Sequence, residues 1–139
     1  MSQFEGTFQK LKQKAITAAA NSYSPYSRFP VGAAVTGEGE AVYSGCNVEN
    51  ASFGLTQCAE RSALTAAICD GTEPGALNML VIYTPGNTAH SPCGACRQVM
   101  HELMAHESKV ISCCDGDDRR VWAPSEYLPD PFVPEALLK

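Results

Sequence analysis

The chain has 139 residues, enough for one domain with a buried core and too few for two domains of ordinary size. Its composition, 45% hydrophobic and 18% charged, is that of a folded protein and excludes a disordered one. The formal net charge of -5, with no basic segment, argues against a nucleic-acid partner, because affinity for phosphate backbones comes largely from Lys and Arg. We therefore expect a single domain spanning residues 1–139.

The first half of the chain predicts a helix, a hairpin and a second helix. Apolar residues at helical spacing predict an amphipathic helix over 4–21, and the two prolines of 24–32 predict a shaped loop. Two strand-like runs around a Gly-Glu-Gly-Glu turn predict a β-hairpin with strands 33–36 and 42–47. The alanine-rich segment 58–69 is expected to be helical, with a glycine just beyond it as a stop.

The second half completes a mixed sheet. The apolar run 77–83 is typical of a buried central strand, and 92–105 is predicted to be a helix. A second hairpin is expected, with strands 109–113 and 119–122, and the proline-rich end predicts short helical turns. This order predicts the α/β class, in the form of a three-layer α/β/α sandwich whose mixed five-stranded sheet carries helices on both faces.

The N-terminal residues contain no apolar stretch typical of a secretory signal, and no run approaches the roughly 18 apolar residues of a membrane span. Seven cysteines in such a chain are expected to be thiols or metal ligands rather than a disulfide framework. We expect a cytoplasmic protein that does not associate with membranes.

Two predicted helices begin with cysteines. Cys58-Ala59-Glu60 opens one, and a Pro-Cys-Gly-Ala-Cys segment that contains Cys93 and Cys96 opens the other. Because helix N-termini favour negative charge, these thiols are expected to ionise readily, and the thiolate is the form that binds zinc. Two sulfurs one turn apart and a third from another helix would leave the fourth tetrahedral position open, which is typical of a catalytic zinc site.

Two charged residues next to Cys58 are candidates for supporting roles. Glu60 is placed near the metal without being a ligand, so it can hydrogen-bond a bound water and move protons. Arg61 lies one turn from Cys58 and could donate hydrogen bonds to the ligand sulfurs, which would offset the negative charge of three thiolates.

Other interpretations of the cysteines remain open. A structural zinc would need a fourth protein ligand, for which Cys46 and His90 are candidates, and a lone Cys-x-x-Cys could be a redox pair. The combination of Cys-Ala-Glu with Pro-Cys-x-x-Cys is more specific than either half and favours a catalytic metal. The cysteines outside these motifs are expected to be small buried hydrophobic residues: Cys46, Cys69, Cys113 and Cys114.

Cys-Ala-Glu-Arg at 58–61 together with Pro-Cys-Gly-Ala-Cys-Arg-Gln at 92–98 closely resembles the cytidine deaminase family, in particular its short homotetrameric class. The resemblance continues at 24–27, 29–32 and 47–50 and, near the end of the chain, at Leu128, Pro129 and Phe132. It implies the hydrolytic deamination of cytidine and 2′-deoxycytidine to uridine and 2′-deoxyuridine plus ammonia, an activity of pyrimidine salvage.

The resemblance also implies the roles of the metal-site residues. Cys58, Cys93 and Cys96 would bind one Zn²⁺ per subunit, and Glu60 would take a proton from the zinc water and deliver protons to the base and the leaving ammonia. Ala59 would contact the pyrimidine edge through its backbone N–H.

Five further positions match substrate contacts of the family. Phe29 would pack against the base, and Asn47 and Glu49 would hold the ribose hydroxyl. In a homotetramer each site is completed by neighbouring subunits through positions that match Phe53 and Phe132, and the family often has a tyrosine at the former. Arg97 and Gln98 also fit the motif and are expected to serve helix-end packing and hydrogen bonding.

Three other functions share some of these features. A deaminase of a modified nucleoside or of a cytosine-containing antibiotic would have the same zinc core, although Asn-Val-Glu-Asn at 47–50 favours an ordinary nucleoside. A polynucleotide deaminase would need a basic channel that this acidic chain lacks. A non-catalytic zinc module would have no use for an unliganded Glu60 beside the metal.

Overall fold

The computed structural model describes residues 2–138, so the two end residues of the predicted domain, 1 and 139, lie outside the described range. In the described part five strands form one sheet in the order β2-β1-β3-β4-β5. β3 and β4 are parallel, and the other neighbours are antiparallel. The mixed five-stranded sheet of the prediction is therefore confirmed. The strands are β1 (Gly32–Gly37), β2 (Val42–Cys46), β3 (Leu77–Tyr83), β4 (Met104–Cys113) and β5 (Arg119–Trp122).

Helices cover both faces of the sheet. The first helix packs on β1, β2 and β3 from one side, and the remaining helices lie on the opposite side, which gives the predicted three layers. No helix within residues 2–138 is long and apolar enough to cross a membrane. The helices are α1 (Gln3–Ala19), α2 (Ala59–Cys69), α3 (Gly94–Leu103) and α4 (Pro124–Tyr127), with 3₁₀ turns at Phe53–Leu55 and Pro134–Ala136.

The central strand β3 divides its side chains between two cores. Met79, Val81 and Tyr83 pack with α1, whereas Leu80 and Ile82 pack with α2 and α3. This alternation follows from the two-residue period of a strand, and all five side chains are at most 7% exposed. The face that carries α2 and α3 also carries the candidate site.

Two glycines allow helices to lie directly on strands. A Cβ at Gly32 would lie 1.8 Å from the Ala15 carbonyl oxygen of α1. A Cβ at Gly45 would lie 2.6 Å from the Ser62 Cβ and 2.9 Å from the Ala59 carbonyl oxygen. Since Ala59 and Ser62 belong to the first turn of α2, a side chain at position 45 would displace the start of that helix.

The largest departure from the predicted elements is the start of β4. The predicted helix 92–105 ends at Leu103, and β4 begins at Met104 rather than at Lys109. Met104 pairs with Leu77 and Lys109 pairs with Met79, so the residues between them form an irregularity in the parallel ladder. Burial of Met104 in the core beneath α3 explains why the chain leaves the helix early.

Candidate active site

Three thiols meet where α2 and α3 begin. The sulfurs of Cys58, Cys93 and Cys96 all lie within 4.8 Å of one another, and the Cys58 and Cys93 sulfurs are 4.0 Å apart. The group of ligand atoms within this distance includes neither Cys46 nor His90 among residues 2–138. A structural zinc closed by either residue is therefore not supported, and the three sulfurs leave a tetrahedral metal one open position.

Helix N-termini hold two of these sulfurs. Cys58 is the N-cap of α2 and Cys93 is the N-cap of α3, and both residues have an extended backbone. The Cys93 sulfur accepts a hydrogen bond of 3.5 Å from the Cys96 backbone N–H. Because the partial positive charge of each helix N-terminus favours thiolates, the donor set and its surroundings fit a zinc ion.

Arg61 supplies the nearest full positive charge. Its Nη2 donates a hydrogen bond of 3.2 Å to the Cys58 sulfur, as expected from the spacing of one helical turn. Hydrogen bonds from the Cys96 thiol and from Arg61 lower the pKa of Cys58 to about 5. The same bond between the two cysteines, together with burial, raises the pKa of Cys96. Of Cys58 and Cys96, Cys58 is therefore the one whose thiolate forms more readily.

Glu60 lies beside the thiols without joining them. It occupies the first turn of α2, is 6% exposed and lines a cavity of about 220 Å³ that also contains Cys58 and Cys93. Burial raises the pKa of its carboxyl. Ala59, the first residue of α2, lines the same cavity, and its N–H has no partner within the helix.

Two rings form one wall of this active-site cavity. Phe29 and His90 pack edge to face with centroids 5.4 Å apart. Phe29 is 41% exposed and is therefore available to a ligand rather than part of the core. No motif predicted that the His90 ring would line the cavity, and its one predicted role was as a candidate metal ligand.

Asn47 also lines the cavity, but most of its amide is already used by the protein. Its Nδ2 donates a 2.8 Å hydrogen bond to the Phe29 carbonyl. Its Oδ1 accepts hydrogen bonds from the Val31 N–H, at 2.9 Å, and from the Ser22 hydroxyl. Asn47 therefore fixes the loop that carries Phe29, and one Nδ2 hydrogen remains for a ligand.

Glu49 braces the preceding part of the same loop. Its Oε1 accepts hydrogen bonds from the Tyr26 and Ser27 backbone N–H groups at 3.0 and 3.1 Å, and its Oε2 accepts one from the Ser27 hydroxyl. Glu49 lines a neighbouring cavity of about 300 Å³ with Phe53, whose ring packs edge to face on Tyr26. The structure thus places Glu49 next to the active-site cavity rather than in its wall.

Arg97 and Gln98 connect α3 to the C-terminal segment. Arg97 donates from Nε to the Pro92 carbonyl, at 2.8 Å, and from Nη1 to the Tyr127 carbonyl, at 2.9 Å. Gln98 donates a 2.8 Å hydrogen bond to the Phe132 carbonyl. These contacts match the predicted helix-end hydrogen bonding, and the Phe132 side chain is left 60% exposed.

The isolated cysteines differ in burial, and one further residue lines the cavity. Cys113 and Cys114 are buried and Cys46 is partly buried, in line with the expectation for isolated cysteines, but Cys69 is exposed because it ends α2. Thr84, which the sequence analysis did not single out, is buried and lines the active-site cavity. Its proximity to the site arises from the fold alone, because it lies outside the cysteine motifs.

Known proteins are similar to this chain in sequence. Residues 6–113 match the zinc-binding region of cytidine and deoxycytidylate deaminases. The chain is 43% identical over 132 residues to a cytidine deaminase of Halalkalibacterium halodurans, covering 93% of this chain and 96% of that protein. It is 45% identical over 129 residues to one of Sporosarcina psychrophila, covering 93% of each.

Solved structures give the same result for the fold. The crystal structure of cytidine deaminase from Burkholderia pseudomallei superposes with a TM-score of 0.85 at 40% identity, covering 95% of this chain and 100% of that one. That of cytidine deaminase from Mycobacterium tuberculosis gives a TM-score of 0.71 at 37% identity, covering 90% of this chain and 96% of that one. The chain belongs to the cytidine and deoxycytidylate deaminase family.

Proposed function

We propose that the protein is a single-domain, zinc-dependent enzyme that hydrolyses the amidine C–N bond of cytidine and 2′-deoxycytidine, releasing ammonia and forming uridine or 2′-deoxyuridine. The observation that carries this proposal is the position of Glu60. A buried carboxylate that lines the same cavity as two of the three clustered thiols, without being one of the ligands, serves chemistry rather than metal retention.

The chain's residues divide the proposed reaction between them. Zinc, when bound by Cys58, Cys93 and Cys96, supplies a Lewis acid that makes water acidic near neutral pH. Glu60 accepts the proton released from that water, gives a proton to N3 of the ring and assists departure of the amino group as ammonia. Burial favours the protonated form of Glu60, which suits a group that must both take and return a proton.

Residues around the cavity orient the nucleoside. The Ala59 N–H, at the start of α2, is suited to the polar edge of the base, and the exposed Phe29 ring is suited to pack on its face. Asn47 and Glu49 support the ribose, with Asn47 offering its remaining Nδ2 hydrogen. Arg61 balances the charge of the thiolates through its bond to Cys58.

We further propose a homotetramer in which neighbouring subunits complete each active site through Phe53 and Phe132. These rings are 74% and 60% exposed, and large exposed apolar side chains favour association with another protein surface. Light scattering on the purified protein tests the assembly, and replacement of Phe53 by Ser should shift it toward smaller species. A monomer with full activity would contradict this part of the proposal.

The proposed setting is pyrimidine salvage in the cytoplasm. Cys58, Cys93 and Cys96 must stay reduced to bind zinc, and a reducing compartment maintains thiols. Cell fractionation with an antibody to the protein tests the location. Recovery with secreted proteins would contradict it.

The experiment for the activity follows the loss of ultraviolet absorbance of cytidine and 2′-deoxycytidine, with zinc content measured on each sample. We expect wild-type protein to convert both nucleosides and the Glu60→Gln variant to lose roughly 10²–10⁴-fold in kcat while keeping its zinc. Glu73→Gln, at an exposed position, is the control and should behave like wild type.

Two results would contradict the proposed function. A zinc-loaded wild-type protein that converts neither nucleoside is not this enzyme, and a panel of modified cytosine nucleosides would then test the antibiotic alternative. A Glu60→Gln variant with wild-type kcat would show that the Glu60 carboxylate takes no part in the reaction. Activity on single-stranded DNA but not on nucleosides would point to a polynucleotide deaminase.

A further inference from the structure

Thr84 follows β3 directly and lies on the face of the sheet that carries the site. The two-residue alternation of the strand places it on the same side as Leu80 and Ile82, which pack with α2 and α3. Its backbone N–H donates a 3.2 Å hydrogen bond to the Cys113 carbonyl, so the parallel pairing with β4 continues to this residue. Thr84 is therefore fixed at the end of the strand, and it is one of the residues that line the active-site cavity.

The Thr84 hydroxyl is buried without a hydrogen-bond partner among residues 2–138. Thr84 is 3% exposed, whereas the similarly buried Thr36, at 7%, donates a 2.7 Å hydrogen bond to the Ala41 carbonyl. A buried hydroxyl without a partner destabilises a fold, and removing it would be favourable unless the group serves another purpose. Within the described part of the chain the Ser112 and Tyr127 hydroxyls also lack a hydrogen-bond partner, but neither residue belongs to the described lining of the active-site cavity.

The position of Thr84 favours the base over the sugar as its partner. Thr84 and Glu60 are the most deeply buried polar residues of the cavity lining, at 3% and 6% exposed. The reacting ring must reach Glu60 and the thiols, so the deep part of the cavity receives the base. The residues assigned to the ribose, Asn47 and Glu49, brace the more exposed loop.

We propose that Thr84 is a specificity-determining residue whose hydroxyl forms a hydrogen bond with the polar edge of the bound cytosine ring. The inference rests on the proposed function, because it needs a pyrimidine in this cavity. It assigns to Thr84 a contact with substrate and no part in proton transfer. The hydroxyl that is unfavourable in the free protein becomes satisfied when the nucleoside binds.

The test compares Thr84→Val, which keeps the shape of the side chain, with Thr84→Ser, which keeps the hydroxyl. Thr84→Val should lower kcat/KM roughly tenfold for cytidine and raise the Tm by about 3 °C, because one neutral hydrogen bond to substrate is lost and an unpaired hydroxyl is removed. Thr84→Ser should stay within about threefold of wild type. The affinity for uridine, measured by calorimetry, should fall in Thr84→Val as well.

Ser112→Ala is the matched control, since it also removes a buried hydroxyl that has no hydrogen-bond partner in residues 2–138. It should leave kcat/KM unchanged. The penalty of Thr84→Val should be equal for cytidine and 2′-deoxycytidine, and a penalty confined to cytidine would assign the hydroxyl to the ribose and overturn the proposal. Wild-type kcat/KM and uridine affinity in Thr84→Val would also overturn it, whereas an inactive wild-type protein would instead contradict the proposed function.

Discussion

The two ends of the active-site cavity differ in how much of their hydrogen-bonding capacity the protein itself uses. At the metal end, formed by Cys58, Glu60, Cys93 and Cys96, three sulfurs face one another and a buried carboxylate lies beside them. Apart from the contacts among the three sulfurs and the Arg61 and Cys96 N–H bonds to sulfur, these groups remain available to a metal and a substrate.

The loop end is formed by residues 22–31 with Asn47, and Glu49 braces this loop from beside the cavity. Its polar side chains are mostly engaged in hydrogen bonds within the protein. The Asn47 amide makes three hydrogen bonds to the loop, and both carboxylate oxygens of Glu49 accept from it. Substitutions at the metal end should therefore change the chemistry or the binding of the metal. Substitutions at the loop end should change stability and the binding of the nucleoside.

The largest effect is expected from Cys96→Ala, which removes the buried sulfur of the metal end. Zinc content should fall from about one to below about 0.1 per chain, and deamination should be lost with it. Elemental analysis and the absorbance assay measure the two quantities. Cys69→Ala, at an exposed cysteine, is the control, and equal zinc in both variants would mean that the three sulfurs do not form the site.

Arg61→Gln should weaken the metal end without removing a ligand. Loss of the hydrogen bond to the Cys58 sulfur should lower zinc affinity or kcat by about 10–100-fold. Competition with a chelator measures the affinity, and Arg120→Gln, on the exposed strand β5, serves as the control. Wild-type zinc retention together with wild-type turnover would show that the thiolates need no side-chain cation.

Asn47→Ala should act mainly on stability. Three hydrogen bonds at a residue that is 8% exposed are lost, and we expect the free energy of unfolding to fall by about 2–4 kcal/mol. KM should rise because Phe29 is no longer held. Denaturant unfolding compares this variant with Asn50→Ala, an exposed neighbour that should change the stability by less than about 1 kcal/mol. If Asn47→Ala lowered kcat alone and left stability and KM unchanged, Asn47 would act on the chemistry and the prediction would be wrong.

The smallest effect concerns the pH dependence of the loop end. Hydrogen bonds from the Ser27 hydroxyl and from the Ser27 and Tyr26 N–H groups lower the pKa of Glu49 from its ordinary 4.5. The bracing is therefore complete above pH 4.5 and is lost as the pH falls through the lowered pKa. The Ser27 amide resonance in NMR should titrate below 4.5, and Glu49→Gln should abolish that titration while Glu40→Gln should not. A titration midpoint above pH 4.5 would contradict the lowered pKa of Glu49.

Local patterns were sufficient to predict the order of the elements and the metal end. Cys58 and Cys93 belong to short motifs, and the helix starts that hold them follow from those same motifs. The start of β4 could not be predicted, because residues 105–108 have no strand pattern and their position depends on the pairing of Met104 with Leu77.

For the loop end, the resemblance named the residues but did not predict that they brace the loop. Asn47 and Glu49 could be named from the resemblance, but their partners lie some 16 to 25 positions away in the sequence, and only the folded chain brings them together. Thr84 gave no signal because its environment depends on the strand end, α2 and the segment before Cys93 at once. Local sequence motifs therefore identify metal-binding side chains better than they identify the residues that line the cavity.

The Arg97 side chain joins the peptide group immediately before Cys93 to the segment that contains Tyr127. The guanidinium thus links the segment that contains Tyr127 to the backbone next to Cys93. A truncation that removes Tyr127 and the residues after it would loosen the backbone that positions Cys93. A bulky fusion partner that displaces this segment would have the same effect. The tail is thus part of the catalytic framework, and engineered fusions are better placed at the other end of the chain.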